Sequence, residues 1–287
     1  MSSEPVFQTT QSRPVLPGRS TVVPSSFIDR VRLYQIATER ARAYAAAEPF
    51  PHTVIDGLFP EDLLDQVVAE IPAAGTTWTS YDNRNELKTV CSDVSAFGPT
   101  AECFGHALNS DVFVRFLEEL SGFEALLTDP SMHACGYMKC EHGGFLDLHY
   151  DFSGHTRLPL KRCLNVLVYL NRDWRPEWGG QLELHSNDDL SDPKHREVLV
   201  EPLFNRTVIF STDRALHGHR RPIACPPGRA RMLFSAFYYT TPPVLGFRAD
   251  AEKVIFPADR SLKTRMVHAA NKLLPPIVFD LFGRRSA

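Results

Sequence analysis

Two periodicities divide the chain. As far as about residue 130, apolar side chains recur at steps of three and four, as on helices with one buried face. Ser25 or Ser26 can cap a helix running to about Ala47, with Phe27, Val31, Tyr34 and Ala41 along it. Residues 50–55 read as a short strand closed by Asp56-Gly57. Pro60, Glu61 and Asp62 open a second helix whose apolar stripe is Leu63, Leu64, Val67, Val68 and Ile71. Proline is tolerated in a first turn, where its missing N–H is not needed, and acids there meet the positive end of the helix dipole. Residues 76–93 are polar and aromatic without a clean period, and we expect a surface loop. Helices follow over 99–108 and 111–120; in the second, Phe113, Phe116, Leu117 and Leu120 fall on one face.

From Met132 the pattern turns to alternation and β-branched runs, at 133–139, 145–150, 164–170, 181–185, 198–201, 207–211 and 231–239. Gly, Asn and Asp cluster between them. So many short strands in so little chain indicate a double-sheet barrel of the jelly-roll kind. The expected fold class is α+β, mainly β, a double-stranded β-helix core with N-terminal helices packed on one sheet and a C-terminal helix. We read residues 1–25 as a flexible tail and 26–287 as one domain. Its parts are a helical segment (26–130), the jelly-roll core (131–241) and a C-terminal segment (242–287). In the last, 261–274 is a basic amphipathic helix expected to pack on the rest of the protein.

Net charge is −3 over 287 residues, so no global field favours nucleic acid or an anionic membrane. No apolar run approaches the ~20 residues of a membrane span, and the Pro-, Ser- and Thr-rich start lacks the apolar stretch of a targeting peptide. The six cysteines are scattered, without a C-x-x-C pair, which fits reduced thiols in a cytoplasmic monomer or homodimer.

His149-Tyr150-Asp151 carries the candidate chemistry. Residues two apart on a strand point to the same face, so an imidazole and a carboxylate enter one cavity if the segment is extended. A histidine from a distant strand, such as His217, would complete two His and one carboxylate with open positions opposite, the ligand set of non-haem Fe(II) oxygenases.

Around these residues the sequence runs Gly144 to Asp151, Leu164 to Trp174 with Tyr169 and Asn171, Trp178-Gly179-Gly180, Val200 to Phe210, His217-Gly218-His219 and Gly228 to Tyr239. In order and spacing this series resembles the prolyl-4-hydroxylase-like branch of the Fe(II)/2-oxoglutarate-dependent oxygenases. The resemblance covers about residues 50–241 and is strongest over 144–239.

The resemblance implies that His149 and Asp151 are the first two iron ligands, and that His217 or His219 is the third, with His217 favoured. It implies Fe(II) as metal, 2-oxoglutarate and O2 as cosubstrates, and ascorbate as a reductant that sustains activity. The far carboxylate of 2-oxoglutarate needs a buried cation, and a guanidinium meets a carboxylate with two parallel bonds. Arg231 matches the family's arginine, with Arg229 second. Tyr169 matches a tyrosine that donates to the same carboxylate, and Tyr137 is placed to do likewise. The carboxylate at Asp151 argues against the halogenating relatives, which have a small residue there.

The expected reaction hydroxylates an unactivated C–H bond of a small-molecule metabolite derived from an amino acid, sugar or natural product. O2 is consumed; succinate and CO2 are released. Tentative substrate contacts are Trp78, Tyr81 and Arg84 in the 76–93 segment, and Arg162, which with Arg157 and Lys161 could receive an anion. Other readings are a hydroxylase of prolyl residues in a protein, a barrel of the same fold that binds metal without turnover, and a zinc or manganese cupin, which leaves Arg231 unexplained.

Overall fold

The computed structural model describes residues 22–73, 75, 77–213, 215–241 and 254–257. Its helices are α1 (Arg30–Ala45), α2 (Glu61–Ala69), α3 (Pro99–Leu108) and α4 (Asp111–Ser121). α1 begins later than Ser25 or Ser26 because Pro24–Phe27 forms a 3-10 turn. Asp29 is the cap, its carboxylate accepting from the Arg32 N–H. Strands are β1 (His52–Asp56), β2 (Thr79–Asn83), β3 (Glu86–Cys91), β4 (Gly136–Cys140), β5 (Phe145–His149), β6 (Lys161–Tyr169), β7 (Leu182–His185), β8 (Glu197–Val200), β9 (Arg206–Ser211), β10 (Leu216–His219) and β11 (Arg231–Thr240).

Ten strands form one antiparallel path, β1-β9-β6-β11-β4-β3-β5-β10-β7-β8, with β2 added on β3. It curls into a nearly closed, barrel-like jelly roll. The fold-over lies at β3, whose Thr89–Cys91 end pairs with β4 while Glu86 and Leu87 pair with β5. Residues 76–93 are therefore mostly not the expected loop. β2 and β3 form a hairpin through Asn83 and Glu86, and its pairing with β4 and β5, invisible to local periodicity, holds it straight.

Alternation along the central strands sorts the interior. Leu164, Val166 and Val168 of β6 and Phe234, Ala236 and Tyr238 of β11 share a core with Phe104 of α3 and Phe113 and Leu117 of α4. Leu167 and Tyr169, with Leu233, join Leu182, Leu184, Val208 and Phe210 on the opposite face. The helices thus back one sheet, as expected, and leave the inner face for the site. The expected helix over 261–274 lies outside the described residues, as does most of the expected tail. Of the C-terminal segment, Ile255 exchanges two backbone hydrogen bonds with Tyr150, just past β5. Among the described residues no helix is long and apolar enough to cross a membrane.

Candidate metal and cosubstrate site

β5 and β10 are neighbours, and His149 and His217 face each other directly across their ladder. Their rings sit 4.3 Å apart between centroids. Gly218 allows this contact: a Cβ there would lie 2.7 Å from the Leu146 carbonyl oxygen. Asp151 follows immediately after the strand, with Oδ1 3.5 Å from His149 Nε2 and Oδ2 3.6 Å from His217 Nε2. The three ligand atoms lie within 4.8 Å of one another, a group able to hold a metal ion.

The tautomers suit that task. His149 Nδ1 donates to the Asp147 carbonyl and His217 Nδ1 to the Ala215 carbonyl, each at 2.9 Å. A carbonyl only accepts, so both Nδ1 atoms carry the hydrogen and both Nε2 lone pairs face the carboxylate and the space between. Burial, with His149 beside it, pushes His217 down to about 4, so it is neutral at neutral pH. Burial alone would raise the Asp151 carboxyl, but Arg162, and then the two histidines, hold it well below the usual carboxylate range.

The cavity in front of these residues measures ≈ 230 Å³. A wider groove of ≈ 670 Å³ between α1 and α4 lies away from the ligand set. Tyr81, Glu86 and Lys88 of the hairpin form one wall of the cavity, and Val254 another. Lys88 pairs with Glu86 at 2.9 Å and lies 5.3 Å above the Tyr81 ring. Phe256 packs against His149 at 5.6 Å.

Arg231 lies at the other end, 1 % exposed. Its Nε donates to the Gly180 carbonyl (2.6 Å) and its Nη2 to the Tyr169 hydroxyl (2.9 Å), while Nη1 has no partner. Gly180 is required by this packing, since a Cβ would fall 2.9 Å from Arg231 Cδ and φ is +77°. Tyr169 stands behind Arg231 in the core and does not line the cavity. Its hydroxyl accepts from the guanidinium, which leaves the phenolic proton to give.

Several expected contacts are elsewhere. Tyr137 points to the helix side of β4, where its hydroxyl donates to the Val67 carbonyl and its ring meets Phe97 and Phe234. The register explains this: Cys140 lies opposite Arg231, and Tyr137, three residues away, must face the other way. Trp78 is tied to the Pro72 carbonyl, under Lys139, and Arg84 is in the hairpin turn; neither lines the cavity. Tyr81 does. Arg229 is exposed in its turn and reaches only the Arg172 carbonyl. His219 is not in the ligand group: its Nε2 lies 3.5 Å from Cys140 Sγ, and burial and Arg231 hold its pKa well below the usual range.

Arg162 lines the cavity as expected, but it is buried there rather than open on a charged surface. It lies 3.3 Å from Asp151 Oδ2, bonds Asn165 Oδ1, and stacks between Phe152 and Phe237. Asn165, which donates to Asp151 Oδ2 at 2.7 Å, gave no sequence signal beyond its place in a strand. Its position four residues before Tyr169, on the same face, was the only clue.

Residues 132–239 match the model of the 2OG-Fe(II) oxygenase superfamily. No curated protein sequence shows a significant match. Among solved structures, the chain is similar to a Trichoplax adhaerens prolyl hydroxylase bound to a hypoxia inducible factor peptide fragment. That match has TM-score 0.52 and 14% identity, covering 76% of this chain and 96% of the other. A Pseudomonas putida prolyl-4-hydroxylase gives 0.49 at 18% identity, over 71% and 100% of the two chains. HygX from Streptomyces hygroscopicus, solved with nickel, 2-oxoglutarate and hygromycin B, gives 0.45 at 18%, over 82% and 95%. The matched segment spans β4 to β11 and includes the His/Asp/His group, so it is the jelly-roll core of this chain that matches the 2OG-Fe(II) oxygenase superfamily, whose members are dioxygenases that use Fe(II), 2-oxoglutarate and O2.

Proposed function

We propose that His149, Asp151 and His217 hold Fe(II), that Arg231 and Tyr169 hold the far carboxylate of 2-oxoglutarate, and that the chain hydroxylates a small molecule at an unactivated C–H bond. The observation that carries this is the pairing of two ends of one cavity. At one end, two Nε2 lone pairs and a carboxylate converge; at the other, a buried guanidinium has no carboxylate partner among the described residues. Two histidines and one carboxylate suit Fe(II) and leave positions open for further ligands. When bound, the metal supplies O2 activation coupled to oxidative decarboxylation of 2-oxoglutarate to succinate and CO2.

The chain's own residues set the geometry. The Asp147 and Ala215 carbonyls fix the two imidazole tautomers, and Asn165 and Arg162 hold Asp151 Oδ2. Arg231 receives a carboxylate by the two-pronged contact a guanidinium offers, and the Tyr169 hydroxyl, which accepts from Nη2, holds the guanidinium in place. Phe256 packs on His149, and Tyr81, Lys88 and Val254 narrow the cavity, which favours a compact substrate and the exclusion of water.

Purified protein given Fe(II), 2-oxoglutarate and O2 should release succinate, and a metabolite screen should yield a product heavier by one oxygen atom. His149→Ala and Asp151→Ala should each abolish succinate release while the circular dichroism spectrum is kept. Wild-type turnover in either variant would sink the ligand assignment, and a mass shift confined to prolyl peptides would sink the substrate class.

A further inference from the structure

His219 is 2 % exposed in the wall of the same cavity, on β10 beyond His217. Its Nε2 lies 3.5 Å from Cys140 Sγ, and Cys140 is opposite Arg231 across the β4–β11 ladder. Thiol, imidazole and guanidinium are therefore neighbours. Two nitrogens of this trio, His219 Nδ1 and Arg231 Nη1, are buried without a hydrogen-bond partner. Buried polar atoms in native proteins are almost always satisfied, so two orphans on residues that line one cavity call for a ligand with acceptor atoms.

Building on the assignment of Arg231 to the far carboxylate of 2-oxoglutarate, we propose that the Nδ1–H of His219 is a further donor to that carboxylate. The thiol provides for the tautomer that this requires. Burial pushes the Cys140 thiol up, so it keeps its hydrogen and can offer it to Nε2. Nε2 then accepts, and Nδ1 carries the imidazole hydrogen. A carboxylate has room for several donors on its two oxygens, so Arg231 and His219 do not compete. In this role His219 makes the site selective for a diacid over a 2-oxo acid that ends in a methyl group.

The test uses full-length protein loaded with Zn(II), and calorimetric titration with 2-oxoglutarate and with 2-oxopentanoate. The second acid has the same chain and chelating end but lacks the far carboxylate. His219→Leu should weaken 2-oxoglutarate by about tenfold or more, the usual scale for a hydrogen bond to a charged group, and leave 2-oxopentanoate unchanged. His219→Asn, whose side-chain N–H sits where Nδ1 sits, should recover most of the loss. On the unaltered chain, imidazole 15N spectra should show His219 in the Nδ1–H form, its signal moving with 2-oxoglutarate and not with 2-oxopentanoate. That measurement decides the matter even if the leucine variant does not fold. Equal loss for both acids, no loss, or an Nε2–H tautomer overturns the proposal. Wild-type protein that binds both acids equally would overturn the Arg231 assignment as well, whereas discrimination undiminished in His219→Leu overturns His219 alone.

Discussion

Arg162 and Arg231 are both buried in the wall of one cavity, and both have an orphaned Nη1. Their surroundings differ in one respect. Arg162 has a protein carboxylate, Asp151 Oδ2, at 3.3 Å, and two aromatic rings against its faces. Arg231 has only a carbonyl and a phenol. A buried charge without a counter-charge is expensive, and a protein keeps one where a ligand supplies the missing sign. On the proposed assignment, the first arginine belongs to the scaffold of the metal ligands and the second receives the carboxylate of a ligand.

The sharpest break of this comparison is Arg162→Met. It strands a buried carboxylate, and losing one partner of a buried pair costs about 3–5 kcal/mol. Urea unfolding of the metal-free protein should show that loss, and added Zn(II) should stabilise the variant more than the parent, because the cation takes over the neutralising role. A loss within error would mean that the pair contributes nothing. Arg231→Met should behave in the opposite way. Stability without ligand should be unchanged or higher, while 2-oxoglutarate binding weakens by roughly two orders of magnitude. Arg231→Lys should recover only part of it, since an ammonium cannot make the two-pronged contact. Arg229→Ala should change binding by less than about twofold, as expected for an exposed charge. Unfolding and calorimetry on this set decide whether the two arginines differ as described.

Acid separates the two ends more gently. His217 is held neutral down to about pH 4, against an ordinary value of 6.5. Between those values the unfolded chain binds the proton and the folded chain does not, so metal-free stability falls as pH drops from 6.5 to 4, and this group adds no further loss below that. Arg231 is not among the groups that act on His217, so Arg231→Met should keep the wild-type slope and His217→Gln should flatten it. A steeper slope in Arg231→Met would tie the two ends together.

The parts of the site that could be read in the sequence are those fixed by the period of a strand. His149 and Asp151 were readable for that reason. Arg231 was readable because the family resemblance implies an arginine on the last core strand, and Met232 to Tyr239 continue that strand. What failed needed pairing information. Tyr137 is one strand position out of phase with Cys140 and Arg231, and only the β4–β11 register reveals it. The β2–β3 hairpin has no strong alternation because one side faces a cavity with polar residues, Glu86 and Lys88, rather than a core. β10 is four residues long with a central glycine, too short for any periodic signal. Val254 and Phe256 reach the site from beyond the core segment, and nothing local marks them.

The direct cross-strand pairing of His149 with His217 also bears on how such a chain can change over time. Their separation is set by the spacing of hydrogen-bonded strands, not by the length of chain that connects them. Everything between β5 and β10 can therefore lengthen in its exposed turns, such as the one between β7 and β8, without altering the distance between the two imidazoles. Doubling a flexible loop costs only about 0.6 kcal/mol in closure entropy. Insertions there are a cheap source of new surface around an unchanged pair of imidazoles.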